Sequence, residues 1–278
     1  AYFLHDSSKK HMTEYFKKQR MRDLKGTEYV YKYIPLKFLK EIIKNKQLRI
    51  AKVSTWKDPY ENFLLKNNFY TNIELYVQDV QVSTEEILER TYGQSWTICE
   101  ESDAMWRIYS KYTQKVKTNT SSYNYLEEVA VRVKINAVNL FDIVYINDRC
   151  MATTSIGKVK YWSDDKINEF LDKMEQTIER NNINWNSDTI ECLYIKRCPF
   201  EHEKEVRIII SHDTEQQKGE YLSYTINDMS VFEEFTLDPR LEDKEVTYIT
   251  NELVNLGVKR EKVTKSSLYH FTPRRIKI

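Results

Sequence analysis

Three β-forming runs, "EVRIII" (205–210), "EYLSYTI" (220–226) and "FEEFTLD" (232–238), follow one another with no helical pattern between them. Elsewhere, helical and strand patterns do not alternate as regular βαβ units. The expected fold class is α+β: a mixed, mainly antiparallel central sheet flanked by helices. Only five Gly and five Pro occur in 278 residues, which argues against a flexible string of modules. One domain over 1–278 is expected, with a basic N-terminal helix in 1–27 and a core in 28–278.

The remaining pattern fills this frame. Residues 7–24 read as a basic amphipathic helix with Met12, Tyr15, Phe16 and Met21 on one face. "YVYKYI" (29–34) is rich in aromatic and β-branched residues and reads as a strand. Pro35 suits the first turn of a helix carrying Leu36, Leu39, Ile42 and Ile43. "LRIAKVS" (48–54) reads as a strand, "TWKDPYE" as a turn, "STEEILERTYG" (83–93) as a helix and "SWTIC" (95–99) as a strand. Further along, 103–114 reads as a helix and 127–135 as a strand, with "DIVYI" (142–146) and "GKVKYW" (157–162) as a strand pair. Helices over 164–182 and 244–256 complete the chain, the second stopped by Gly257.

Charge is uneven. Residues 1–70 hold 16 Lys/Arg against 7 Asp/Glu, and residues 259–278 hold 7 against 1, although the whole chain is only +1. Basic ends on an acidic body suit a phosphate-bearing partner, an acidic partner, or nothing beyond solvated lysines. No apolar run approaches the roughly 20 residues of a membrane helix, and no membrane partner is expected. The N-terminal segment has no apolar core of a secretory signal, and the four cysteines show no C-x-x-C, so a cytoplasmic protein with reduced thiols is expected. There is no G-x-G-x-x-G, P-loop, H-E-x-x-H or G-x-S-x-G, and no pair of histidines at a ligand spacing. Chemistry without a metal is therefore expected.

What remains is a set of short motifs: Tyr31, Lys32 and Tyr33; Asp58, Pro59 and Glu61; Cys99; Met105, Trp106 and Tyr109; and Glu203, Glu205 and Arg207. In this order they resemble a widespread bacterial domain family of unknown function with the pattern Y-[HK]-Y … DPxE … MWxxY … ExExR. The likeness spans roughly 29–270 and includes the closing "FEEFTLDPRLEDKEVTYITNELVNLG". The chain departs from the family's pattern at Trp56-Lys57, where Phe-Asn is usual, at Ile98-Cys99-Glu100, which lacks a Phe, and at Phe200, where Trp is usual. That family is itself similar to ADP-ribosyltransferases of the toxin kind, in its aromatic opening strand and its late Glu-x-Glu.

The resemblance implies an ADP-ribosyltransferase-like fold and an enzyme that cleaves the nicotinamide–ribose bond of NAD, its substrate, without a metal. Such cleavage develops an oxocarbenium-like ribosyl cation. It calls for a carboxylate near the ribose, aromatic walls for nicotinamide and cations for the diphosphate. On this reading Glu205 is the catalytic carboxylate and Glu203, on the same strand face, orients the acceptor. The plainer reading of both is an edge strand protected by charge. Arg207 either binds phosphate or pairs with Glu205. Tyr31, Lys32 and Tyr33 are expected to bind the cofactor, with Lys32 facing the cleft and pointing opposite to the two tyrosines, or Lys32 is simply solvated beside two buried tyrosines. Trp106 and Tyr109 wall the nicotinamide pocket or belong to the core. Asp58 contacts cofactor or caps a turn. The basic ends favour a nucleic-acid acceptor, RNA or DNA, and a toxin or antiviral effector of this kind implies a neutralising antitoxin or inhibitor protein. The alternatives are a non-catalytic nucleotide- or nucleic-acid-binding module and a metal-independent nuclease toxin using Glu203, Glu205 and Lys32.

Overall fold

The run that looked like a charged edge strand lies in the interior of the sheet. In the computed structural model, Glu205–His212 is paired on both sides, to Thr91–Thr97 and to Ala152–Lys158, both antiparallel. Its side chains alternate between two covered faces. Val206, Ile208 and Ile210 enter the largest core cluster, and Ile209 packs with Val53, Leu193 and Tyr194 on the other side. Burial on both faces explains the near-continuous apolar run.

The structure describes residues 19–56, 58, 60, 61, 63, 69–71, 80–82, 85–112, 123–148, 152–179, 190–212 and 219–276. In chain order the strands are β1 (Met21–Arg22), β2 (Tyr29–Pro35), β3 (Gln47–Lys52), β4 (Phe69–Thr71), β5 (Val80–Val82), β6 (Thr91–Thr97) and β7 (Ala130–Asn136). They continue with β8 (Ala152–Lys158), β9 (Lys160–Trp162), β10 (Ile195–Arg197), β11 (Glu205–His212), β12 (Tyr221–Thr225), β13 (Phe232–Leu237) and β14 (Val263–Lys265). The helices are α1 (Leu36–Asn45), α2 (Glu85–Glu89), α3 (Asp103–Tyr109), α4 (Ala137–Asp148), α5 (Asp164–Glu179) and α6 (Asp243–Asn255).

The main sheet runs β1-β8-β11-β6-β2-β7-β13-β14, with β3 joining β6 and β12 joining β3. Only its outermost pairs, β1 with β8 and β13 with β14, are parallel. The expected mixed, mainly antiparallel α+β architecture is the one observed. β2 and β3 dock on the same edge of β6 at different heights: Tyr31 opposite Thr97, and Ala51 and Lys52 opposite Gly93 and Tyr92. Between them lies a split in the sheet beside Gln94, Ser95 and Trp96.

Local sequence explains the elements that frame the split. β2 alternates, with Val30 and Ile34 in the main core and Tyr33 in a smaller cluster with Met105, Trp106 and Ala130. α1 buries Leu36, Leu39 and Ile43 at helical spacing and ends where Lys46 turns into the left-handed region at φ 50°. α6 begins with a reciprocal Glu242–Glu245 capping box and stops at Gly257, φ 96°, as expected.

Several expectations are corrected. "DIVYI" is part of α4, not a strand: Ala137, Leu140, Phe141 and Val144 are all fully buried at i, i+3, i+4 and i+7, and Asn136 caps the Val138 N–H at 2.9 Å. "TYG" is the start of β6, because the helix ends at Glu89. Gly93 is tightly enclosed there, since a Cβ would lie 2.6 Å from the Trp56 ring. The helix expected over 103–114 ends at Tyr109. The helix expected over 7–24 falls on 7–18 outside the described residues, and Met21–Arg22 is instead a strand along Ile156–Gly157. Among the described residues no helix is long and apolar enough to cross a membrane.

Candidate active site

The sheet register builds the site. Glu205 on β11 stands opposite Thr97 on β6, and Thr97 stands opposite Tyr31 on β2. Directly opposed residues share a face, so Glu205, Thr97, Tyr31 and, two residues on, Tyr33 look the same way. Arg207 lies on this face too, opposite Ser95. An open cleft of about 160 Å³ covers this corner, lined by residues that include Tyr31, Lys32, Tyr33, Glu61, Lys196 and Glu205.

Glu205 is 4% exposed and its carboxylate is gripped from one side. Arg207 Nε donates to Oε1 at 2.7 Å and Nη2 to Oε2 at 3.1 Å. Lys196 Nζ donates to Oε2 at 3.2 Å. Burial works against the charge, but Arg207 first, then Lys196 and a hydrogen bond from Ser95, hold the carboxyl down at about 2. The Glu205 backbone is equally fixed: its N–H donates to the Tyr161 hydroxyl at 2.7 Å and its carbonyl accepts the Val159 N–H at 2.9 Å.

Glu203 is not on the strand. It ends a 3-10 turn, Cys198–Glu203, and Lys204 then passes through the left-handed region at φ 43°, which costs a side chain about 1–2 kcal/mol. Thr97 Oγ1 pins this turn by donating to the Glu203 carbonyl at 2.6 Å. The kink brings Glu203 back to the cleft, where Lys196 Nζ reaches Oε2 at 2.7 Å. Glu61 joins them, 3.2 Å from Lys196 and 2.9 Å from Arg207. Three carboxylates thus converge on two buried cations, each of which has its positive charge stabilised by Glu205 against the penalty of burial. Among the described residues no cluster of His, Cys, Asp and Glu is arranged to hold a metal ion.

Arg207 is a strut. Its guanidinium is fully buried, accepted by Glu205, Glu61 and the Leu193 carbonyl at 2.7 Å, and stacked over Trp56 with 4.5 Å to the ring centroid. It is not among the residues that line the cleft. Asp58 is not in the cleft lining either. It accepts the Tyr60 N–H at 3.0 Å and lies 3.6 Å from Arg197, a turn and strand-end role.

Tyr31, Lys32 and Tyr33 all line the cleft. The two tyrosines, not the lysine, share the face of Glu205. Lys32 leaves β2 from the opposite face and fills the split, where Nζ donates to the Ser95 carbonyl at 2.6 Å. Burial pushes its ammonium down to about 8, partly offset by the charge of Glu205.

The aromatic walls divide as follows. Tyr33 stacks with Tyr109 at 6.3 Å and meets Trp106 edge-on at 4.7 Å. Tyr109 is 40% exposed and lines the cleft, with its hydroxyl 3.5 Å from Glu203. Trp106 is fully buried behind Tyr33, with its Nε1 donating to Glu101 at 2.9 Å. It is core, and only Tyr109 of the pair is wall.

Lys196 and Tyr161 were not singled out from the sequence. They are neighbours in the short parallel pair β9–β10, where Lys196 stands opposite Tyr161. Glu61 was noted only as part of a turn motif. The only sequence signal at Lys196 is the cation pair Lys196-Arg197 in "YIKRCP", shortly before the charged run.

No family model and no curated protein matches the chain. Two solved structures are similar to it. One is DarT of Thermus sp. 2.9 in complex with ADP-ribosylated ssDNA, at TM-score 0.37 and 9% identity over 90% of this chain and 100% of that chain. The other is DarT of Thermus sp. 2.9 in complex with NAD+, at TM-score 0.36 and 9% identity over the same shares.

Proposed function

We propose that the protein is a metal-independent, NAD-consuming ADP-ribosyltransferase that modifies nucleic acid, acting in the cytoplasm as a toxin or antiviral effector held in check by a neutralising partner. The motif resemblance over 29–270 motivates this reading, with 28–278 as the catalytic core and 1–27 as a basic extension. The observation that carries it is Glu205: a buried carboxylate held ionised at about 2 beside a cleft lined by Tyr31, Tyr33 and Tyr109.

A carboxyl this acidic is no proton acceptor at neutral pH. Its use is a fixed negative charge, placed where positive charge develops on the ribose. In the proposed step the bond from nicotinamide nitrogen to ribose C1′ breaks, and its electron pair returns to the ring, which leaves as neutral nicotinamide. A lone pair on an acceptor nitrogen or oxygen forms the new bond to C1′. The acceptor's proton passes to the Glu203 carboxylate and on to water. Tyr33 and Tyr109 offer flat apolar faces to nicotinamide, and the Lys32 ammonium offers its charge to the ribose or diphosphate.

The test is incubation with NAD labelled in its adenosine half together with RNA and DNA oligonucleotides. Label on nucleic acid with release of nicotinamide supports the reading. Cut nucleic acid without NAD would assign the cleft to a nuclease, and salt-sensitive binding with no chemistry would leave a binding module.

A further inference from the structure

The split between β2 and β3 has a second cavity on its other side. This groove, of about 480 Å³, is bounded by α1, β3 and β12, and Lys32 and Tyr33 line both it and the carboxylate cleft. Its volume lies within the range of small-molecule sites. Two aromatic side chains in it are half exposed, Phe38 on α1 and Tyr221 on β12, both at 49%. Arg49 stands over the Tyr221 ring, 5.0 Å from its centroid, and pairs with Glu41 at 3.4 Å.

Large apolar side chains left open in a cavity are uncommon on a surface that binds nothing. The chemistry of this groove selects among occupants. Flat aromatic faces beside a guanidinium are what a nucleobase stacks on, and such stacking tolerates any base. The surrounding chain is strongly basic: residues 36–52 hold six Lys or Arg and a single Glu. Four of these cations are tied to carboxylates, Lys37 to Glu128, Lys40 to Glu127 and Glu252, Arg49 to Glu41 and Lys52 to Glu89, and Lys44 and Lys46 at the end of α1 add the positive charge that suits a polyanion.

We propose that the α1–β3–β12 groove seats a nucleobase of the acceptor strand, unstacked from a single-stranded nucleic acid, on Phe38 and Tyr221. This deepens the function proposed above and rests on it. The nicotinamide end of NAD lies on the face of Tyr33 and Glu205, and a strand seated by one base in the groove reaches that face with a neighbouring nucleotide past Tyr33, which lines both spaces. Lys32, in the split, touches both spaces. A double-stranded acceptor cannot present a base here without extruding it, so single strands are the favoured acceptors.

The test uses Phe38→Ala and Tyr221→Ala in the full chain, with mixed-sequence DNA and RNA oligonucleotides. Both positions are half exposed, so folding is retained, and circular dichroism verifies it. Transfer is measured against oligonucleotide concentration and against NAD concentration separately. The expected result is an oligonucleotide KM raised about tenfold by either change, with the KM for NAD within about twofold. A KM for NAD raised instead places the adenine of NAD in the groove and overturns the acceptor assignment. Unchanged values for both substrates, or labelling of protein rather than oligonucleotide, also overturn it. If the unaltered protein releases no nicotinamide, the reading as a transferase falls. The groove is then decided by anisotropy of a fluorescent oligonucleotide: weaker binding in the variants upholds a nucleobase site, and equal binding removes it.

Discussion

Arg207 holds Glu205 two residues away on the same strand, Nε to Oε1 at 2.7 Å and Nη2 to Oε2 at 3.1 Å, with both groups out of solvent. A buried charge stripped of its partner is costly, because the penalty of desolvation remains when the attraction is gone. Arg207→Ala leaves Glu205 with Lys196 and empties a guanidinium-sized space under Trp56. Equilibrium unfolding in urea should show a loss of about 3–5 kcal/mol. A loss under about 1 kcal/mol would mean that the cluster is not assembled as described.

The same grip sets an acid limit. Glu205 falls from an ordinary value of 4.5 in the unfolded chain to about 2 in the fold. A carboxyl depressed on folding adds stability above its unfolded value and loses it as pH drops towards its folded value. The unaltered protein should therefore lose on the order of 3 kcal/mol between about pH 5 and pH 2 through this group. Glu205→Gln should flatten that part of the pH profile of unfolding. An equally steep profile in the variant would assign the acid limit to other groups.

Lys32 acts in the opposite sense at alkaline pH. Its ammonium titrates at about 8 in the fold, below the ordinary 10.5 of an unfolded chain. Between these values the unfolded chain binds the extra proton, so stability rises as pH rises through the window. Lys32→Met should remove that rise and be the more stable protein at pH 7. If the charge of Lys32 also serves NAD, the KM for NAD should increase above pH 8 in the unaltered protein and be high and flat with pH in Lys32→Met.

Tyr109 and Trp106 separate wall from core on one short helix. Trp106→Ala removes a fully buried indole and should cost about 3–5 kcal/mol in unfolding. Tyr109→Ala removes a half-exposed ring from the cleft and should change stability little, while raising the KM for NAD roughly five- to tenfold. Equal losses of stability in the two variants would contradict the division.

Much of this site could be read before folding, and what could not has physical causes. Glu205, Arg207 and the tyrosines of β2 stand where strand alternation puts chemistry, and their own spacing announces it. Period alone does not say which face is which, and only the pairing of β2 with β6 and of β6 with β11 puts Tyr31 and Tyr33, rather than Lys32, on the face of Glu205. Nor does local pattern show that β11 is an interior strand, because that depends on β6 and β8 arriving from far along the chain. Lys196 reaches Glu205 only through the pairing of β9 with β10, and nothing near it in sequence marks that. Glu203 needs the left-handed Lys204, a conformation that a lysine does not advertise. "DIVYI" misleads because four β-branched and aromatic residues in a row outweigh a helical period that shows itself only over a longer window.

The central claim is that Glu205 supplies fixed negative charge to the breaking nicotinamide–ribose bond. The direct measurement is the rate of nicotinamide release from NAD, with chelator present, by the unaltered protein and by Glu205→Gln, each shown to be folded at pH 7. The account predicts release by the unaltered protein and a rate at least about a hundredfold lower in the variant. Release at an equal rate by Glu205→Gln, or no release by the unaltered protein, would contradict it.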